Sequence, residues 1–279
     1  MLTLGIETAT ERVSVALGDH DGVLALFEVT RGRRHAEILT PAIEFVCRQA
    51  DVKIDEIASV AIDVGPGLFT GMRVGIASAK VIAQALQVPM IPLSSLDLLA
   101  YPMRQTERLI ASVIDARKGE VFYAFYRQNN TGIQRVLDPT VGTIDDLISD
   151  LLGRGQETLC VGDGAVRYRE EIAAGFATDF ADTSYSFPSA SVLVELAHTR
   201  ALKEDWVEPH EVQALYLRQP DAEINWTTRN RGCVVSIVSR FSSSKVPVRT
   251  IVGIFCLIVK STTSPSDASG RFKSTTATK

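Results

Sequence analysis

Short stretches of alternating apolar and polar residues open the chain, and a helical rhythm follows. Leu2-Thr3-Leu4-Gly5-Ile6 and Val13-Ser14-Val15-Ala16-Leu17 read as strands joined by a turn at Thr8–Arg12. Asp19-His20-Asp21-Gly22 supplies a hairpin turn into a third strand, Val23–Val29. Over 36–50 the period changes to that of a helix, with Ile38, Leu39, Ala42, Ile43, Val46 and Ala50 on one stripe and Pro41 in its early turns. Ser59–Asp63 is a fourth strand, 71–86 a second helix, Val88–Pro92 a fifth strand, and Ser94–Tyr101 a short helix capped by Ser94 or Ser95.

The pattern then restarts. Leu109–Asp115, Glu120–Tyr126 and Gln134–Leu137 form a second meander. A helix at Ile144–Leu152, a strand at Thr158–Val161, a Gly162-Asp163-Gly164 turn and helices near 167–174 and 189–203 follow. Three hairpin-linked strands followed by helices and parallel strands, occurring twice, predict a duplicated α/β fold. Actin, Hsp70 and sugar kinases share that topology.

The junction at 63–80, DVGPGLFTGMRVGIASAK, carries the most information. A strand ends at Asp63, a Gly65-Pro66-Gly67 turn follows, and a helix rich in small residues begins. The unpaired N–H groups of a helix N-terminus can bind an anion. The stripe Gly71-Gly75-Ala79 can equally let another backbone come close. After Arg73 the helix has one charged residue, Lys80, so it lacks a polar face and should be covered on more than one side.

Composition narrows the field only slightly. The 279 residues are 46% apolar and 22% charged with a net charge of -4, which does not announce nucleic-acid binding. Cys47, Cys160, Cys233 and Cys256 show no metal spacing and read as reduced thiols of a cytoplasmic protein. No secretory leader is read at the start. The longest apolar run, Ile251–Val259, is nine residues, where a membrane span takes about 20. Charge is unevenly placed: residues 1–226 hold 20 basic and 32 acidic residues, and residues 227–279 hold 9 and 1. A boundary near Trp226 follows. The predicted organisation is a first lobe over 1–105 completed by the 189–203 helix, a second over 106–226, and a basic Ser/Thr-rich disordered tail over 227–279.

Chemistry is hard to place on these residues. His20, His35, His198 and His210 form no HxxxH or HExxH pair, so no metal is expected. His35 reads as a capping or surface residue. An actin-like ATPase holds Mg²⁺ through water with an early Asp; here Glu7-Thr8-Ala9-Thr10 has Glu, which reaches differently. A second phosphate loop needs Gly soon after its Asp, but Asp115 is followed by Ala116 and Arg117, with Gly119 too late. Glu7, Thr8 and Asp115 are therefore read as a vestigial nucleotide loop. No Gly-Lys-Ser/Thr follows the Gly-Pro-Gly turn, and no catalytic triad can be read. Arg31, Arg33 and Arg34 beside His35 read as a solvated loop, with RNA phosphate contact the alternative.

GIETATERVSVAL, VGPGLFTGMRVGIASAK, VPMIPLSSLDLLA, IDARKGEVFYAFY and ALYLRQPDAE together resemble the TsaB (YeaZ) family, the non-catalytic branch of proteins once grouped with the M22 glycoproteases. The resemblance runs from residue 2 to about 226. It implies an actin/Hsp70-like (ASKHA) two-lobed fold and a role in forming N6-threonylcarbamoyladenosine (t6A) at position 37 of tRNAs reading ANN codons. The implied partner is TsaD, whose metal pair would fall at Ser95 and Leu99; neither residue can ligate as an imidazole does. It also implies an ATPase, TsaE, in the complex, a homodimer when TsaD is absent, tRNA contact only through partners, and ATP and metal on the partners rather than here. The helices 36–50 and 71–86 would then dock, with Leu39, Ile43, Val46, Gly71, Arg73, Gly75, Ala79 and Ile82 as interface residues. A degenerate ATPase or kinase, and more remotely a metallopeptidase, are the alternatives.

Overall fold

The computed structural model describes residues 1–30, 34–129 and 132–218. Arg31, Arg33, the boundary near Trp226, the 227–279 tail and its Ile251–Val259 run lie outside them.

The first meander is β1 (Thr3–Glu7), β2 (Arg12–Asp19) and β3 (Gly22–Thr30). Alternation fits it well: β1 pairs antiparallel with β2, Ile6 opposite Val15, and β2 with β3, Val15 opposite Phe27. Helix α1 (His35–Gln49), β4 (Ser59–Asp63), α2 (Phe69–Leu86), β5 (Met90–Leu93) and α3 (Ser95–Ala100) follow, α3 capped by the Ser94 hydroxyl, which accepts the Leu96 N–H at 3.3 Å. β1 pairs parallel with β4 and β4 with β5, which completes a five-stranded sheet in the order β3-β2-β1-β4-β5.

The second half repeats this plan. β6 (Leu109–Arg117), β7 (Glu120–Asn129), β8 (Gly132–Thr143), α4 (Ile144–Arg154), β9 (Thr158–Val161), α5 (Asp163–Arg167), α6 (Arg169–Gly175), β10 (Asp179–Phe180) and α7 (Ala190–Ala201) complete the described chain. The second sheet runs β10-β9-β6-β7-β8. Replacing each strand by its counterpart turns one order into the other, and the parallel and antiparallel pairs correspond. This is the duplicated actin/Hsp70-like plan that the patterning predicts.

Where element bounds differ from the sequence reading, local causes are visible. The helix expected near 167–174 is α6, and the Gly162-Asp163-Gly164 turn opens a further helix, α5; Tyr168 separates the two by leaving helical geometry at φ -106, ψ 25. β8 runs on past Leu137 to Thr143 and includes Pro139. It is the edge strand of its sheet, where a residue without an N–H is tolerated. β10 is two residues long, too short to give a pattern.

Each sheet is covered on both faces. α1 and α2 bury Leu39, Ala42, Val46, Met72, Ala79 and Ala83 against Leu4, Ile6, Val60 and Ile62 of the first sheet. α7 lies on its opposite face, where Leu193 and Ala197 meet Ala61 and Ile91. It comes so close that a Cβ on Gly5 would stand 2.8 Å from Val194 Cγ2. On the second sheet, Leu147 and Leu151 of α4 and Ile172 of α6 cover one face and Leu96, Leu99 and Ala100 of α3 the other. α3 is pinned there by Asp97, whose carboxylate oxygens lie 2.6 and 2.8 Å from the Arg135 guanidinium and accept the Tyr126 hydroxyl at 2.8 Å. Arg135→Ala is expected to cost about 1–2 kcal/mol, because a mostly buried carboxylate loses its cation. A thermal melt lowered by a few degrees checks it.

Candidate functional site

The β1–β2 and β6–β7 turns, read from the sequence as a vestigial nucleotide loop, are both filled by the chain's own groups. In the β1–β2 turn Glu7 is fully buried. Its Oε1 accepts the N–H of Ala9 at 2.8 Å and of Thr10 at 3.3 Å, so this carboxyl closes its own turn. The Thr8 hydroxyl donates to the Gly71 carbonyl at 2.9 Å. His35, the first residue of α1, is buried rather than at the surface, and its Nε2 bonds the Thr10 carbonyl at 2.8 Å. A carbonyl only accepts, so Nε2 carries the hydrogen.

The β6–β7 turn is equally occupied. Asp115 Oδ1 accepts the Arg117 N–H at 2.9 Å and the Tyr168 hydroxyl at 3.3 Å. Its Oδ2 lies 3.3 Å from the Arg117 guanidinium and 3.5 Å from that of Arg167. Arg117 and Lys118 have φ of 65° and 59°, so side chains project from a turn where a phosphate loop would present bare backbone. Arg117 also reaches Glu11 of the β1–β2 turn, and this ion pair ties the two turns together. Asp163 accepts the Asp115 N–H at 3.2 Å, and burial pushes its carboxyl up to about 7.

The Gly65-Pro66-Gly67 loop packs on the first turn. The Leu68 N–H donates to the Ala9 carbonyl at 2.6 Å, and a Cβ on Gly67 would collide with the same oxygen. Asp63 at the head of this loop is fully buried; its Oδ1 accepts the Gly65 N–H and the Ser95 hydroxyl, each at 2.7 Å. Burial, first of its causes, pushes the Asp63 carboxyl up to about 7. Ser95 is thereby engaged, and Leu99 is packed in the core; these are the two positions that the resemblance read from the sequence sets against a metal pair. Among the described residues Asp19, His20 and Asp21 are the one trio of potential metal ligands that come together, on a mostly exposed hairpin turn.

Of the eight docking residues read from the sequence, six lie inside the fold of this chain. Leu39, Ile43, Val46, Gly71, Gly75 and Ala79 are buried. A Cβ on Gly71 would collide with the Thr8 carbonyl, and one on Gly75 with the Thr8 hydroxyl. The small residues are there to let α2 lie against the β1–β2 turn. Only Arg73 is exposed and Ile82 half-buried. The outward face is a second stripe two residues on, Arg73-Ala77-Val81-Ala85, all exposed, with Val81 at 68%. Periodicity shows both stripes of a helix that is apolar nearly all round and cannot say which one meets the sheet. Asp63, Glu11, Ala77 and Val81 were missed; for Asp63 the signal was available, since Leu4-Gly5-Ile6-Glu7 and Val60-Ala61-Ile62-Asp63 end alike.

No helix among the described residues is long and apolar enough to cross a membrane. A family model described as TsaD, tRNA N6-adenosine threonylcarbamoyltransferase, matches residues 29–226. The chain is 26% identical over 228 residues to the tRNA threonylcarbamoyladenosine biosynthesis protein TsaB of Bacillus subtilis, across 81% of this chain and 98% of that protein. It is 34% identical over 173 residues to TsaB of Escherichia coli, across 59% and 72% respectively. A solved structure of YeaZ from Pseudomonas aeruginosa is similar at a TM-score of 0.66 and 26% identity, covering 77% of this chain and 99% of that one.

Proposed function

The chain belongs to the TsaB (YeaZ) family, and from that premise we propose that it serves t6A formation on tRNA as a non-catalytic subunit. It acts by docking on a TsaD-like catalytic subunit, with a TsaE-like ATPase joining the complex and tRNA bound by the partners. The observation that carries this reading is internal engagement of the catalytic positions. Glu7 closes its own turn, Asp115 is held by two arginines, Ser95 bonds Asp63, and Leu99 is packed. ATP and metal chemistry accordingly belong to the partners.

The docking face is the outer side of α2. Ala77, Val81 and Ala85 offer an apolar, small-residue strip that a partner helix can approach closely. Arg73, whose guanidinium lies 5.1 Å over the Phe69 ring, sets a charged end to the strip. In the absence of the partner the same strip serves a homodimer.

Reconstitution tests the function. With TsaC-, TsaD- and TsaE-type proteins, tRNA, ATP, threonine and bicarbonate, t6A formation is expected to fall at least tenfold when this chain is left out. Undiminished synthesis without it would sink the reading. Titration of the isolated chain with Mg-ATP in a calorimeter is expected to give no binding heat, whereas micromolar affinity would restore the ATPase alternative.

A further inference from the structure

Glu7 and Asp63 end neighbouring parallel strands one residue beyond the paired Ile6 and Ile62. Adjacent strands lie about 4.8 Å apart, and residues in step with one another leave the sheet on the same face. Two carboxyls thus emerge side by side, both fully buried. Each has one satisfied oxygen: Glu7 Oε1 on Ala9 and Thr10, Asp63 Oδ1 on Gly65 and Ser95. The other oxygen of each, Glu7 Oε2 and Asp63 Oδ2, has no hydrogen-bond partner.

The surroundings do not neutralise them. From β2, the Arg12 charge is the least of the influences on Glu7, and its guanidinium lies 3.5 Å from Glu28 in an ion pair of its own. From α1, His35 is bonded to the Thr10 carbonyl. From α3, Asp97 adds a further negative charge near Asp63. α2 brings Gly71 and Gly75 to this turn, and α7 brings Ala190, whose N–H donates to Ser14 opposite Glu7; none of these carries a charge. Two adjacent ionised oxygens, buried and unpaired, are strongly unfavourable.

We propose that one proton bridges Glu7 Oε2 and Asp63 Oδ2, so that a carboxylic acid and a carboxylate satisfy each other's remaining oxygen. The bridge joins the β1–β2 turn to the head of the Gly-Pro-Gly loop, the two segments that fix where α2 starts. Loss of the proton leaves two like charges at that root and makes it a pH-sensitive catch on α2.

Burial acts on both groups in the direction this requires. It raises the Glu7 carboxyl well above its ordinary range, with the Asp63 charge as the next cause. The folded protein therefore keeps a proton that the unfolded chain releases above about pH 4. Because the folded state binds more protons, stability falls as pH rises from there through neutrality.

Carboxyl-carbon NMR of the full chain, labelled at Asp and Glu and assigned through Glu7→Gln and Asp63→Asn, tests the bridge. The two signals are expected to titrate together, with one proton retained at pH 7. The thermal midpoint of the unsubstituted protein should fall between pH 5 and pH 8, and Glu7→Gln, whose amide donates where the proton sat, should flatten that slope by about one proton. Two fully ionised signals at pH 7 overturn the proposal. So does a stoichiometric metal ion in the purified chain whose chelation moves the Glu7 signal, since a cation would then hold the pair. If Glu7→Gln does not fold, the titration of the unsubstituted protein, assigned through Asp63→Asn, decides.

Discussion

Gly75→Leu is expected to destabilise the fold itself rather than merely to release a partner. A Cβ at this position collides with the Thr8 hydroxyl and stands 3.5 Å from Ile62 Cδ1. The helix cannot retreat cheaply. Its start is bonded to Ala9 through the Leu68 N–H, and the Thr8 hydroxyl holds the Gly71 carbonyl. Overpacking a core commonly costs about 1–3 kcal/mol. Four added carbons against the buried Thr8 and Ile62 side chains place this substitution at roughly 3 kcal/mol or more. For a fold of this size that lowers the thermal midpoint by about 6–12 °C. Gly75→Ala should show a smaller loss of the same sign. A Gly75→Leu protein that melts normally and loses only its partner would mean that the stripe faces outward after all.

Val81→Asp should do the reverse. Val81 is 68% exposed at the middle of the Arg73-Ala77-Val81-Ala85 strip, so a carboxylate there stays hydrated in the free chain. Its midpoint should remain within about 1 °C of the unsubstituted protein, as surface changes usually do. Burying that charge in an apolar contact is costly, and central interface positions commonly contribute about 2 kcal/mol or more. Affinity for the TsaD-like partner should fall about thirtyfold or more. Gel filtration and calorimetry of the mixed proteins measure it. Full affinity in Val81→Asp would move the docking face away from the outer side of α2. The two substitutions lie on one helix, and their opposite outcomes separate packing from docking.

The same helix shows how far sequence reading reaches. A run of small and apolar residues with one lysine after Arg73 says correctly that α2 has little polar surface. The glycines draw the eye to Gly71-Gly75-Ala79 as a contact stripe, and a contact stripe it is. The contact is with Thr8, far earlier in the chain, and no local pattern names that partner. The Asp115 turn was more legible. The side chains of Ala116 and Arg117 exclude a bare phosphate loop by their presence alone, and the structure adds the ion pair from Arg117 to Glu11. His35 went the other way: its place before a helix suggested a capping or surface residue, while the Thr10 carbonyl draws it inside.

Strand and helix periods, hairpin turns and their repetition in the second half are local properties, and they were sufficient to establish the duplicated α/β plan. Residue type was likewise sufficient to deny imidazoles at positions 95 and 99 and a P-loop after Asp63. The direction in which each face points is a long-range property. It depends on which apolar surface a strand or turn distant in sequence covers, and on how closely two backbones can approach. Folding therefore assigned the inner stripe of α2 to Thr8 and the outer one to solvent. It also set Glu7 beside Asp63, two carboxyls that the sequence shows only as distant strand ends of the same form.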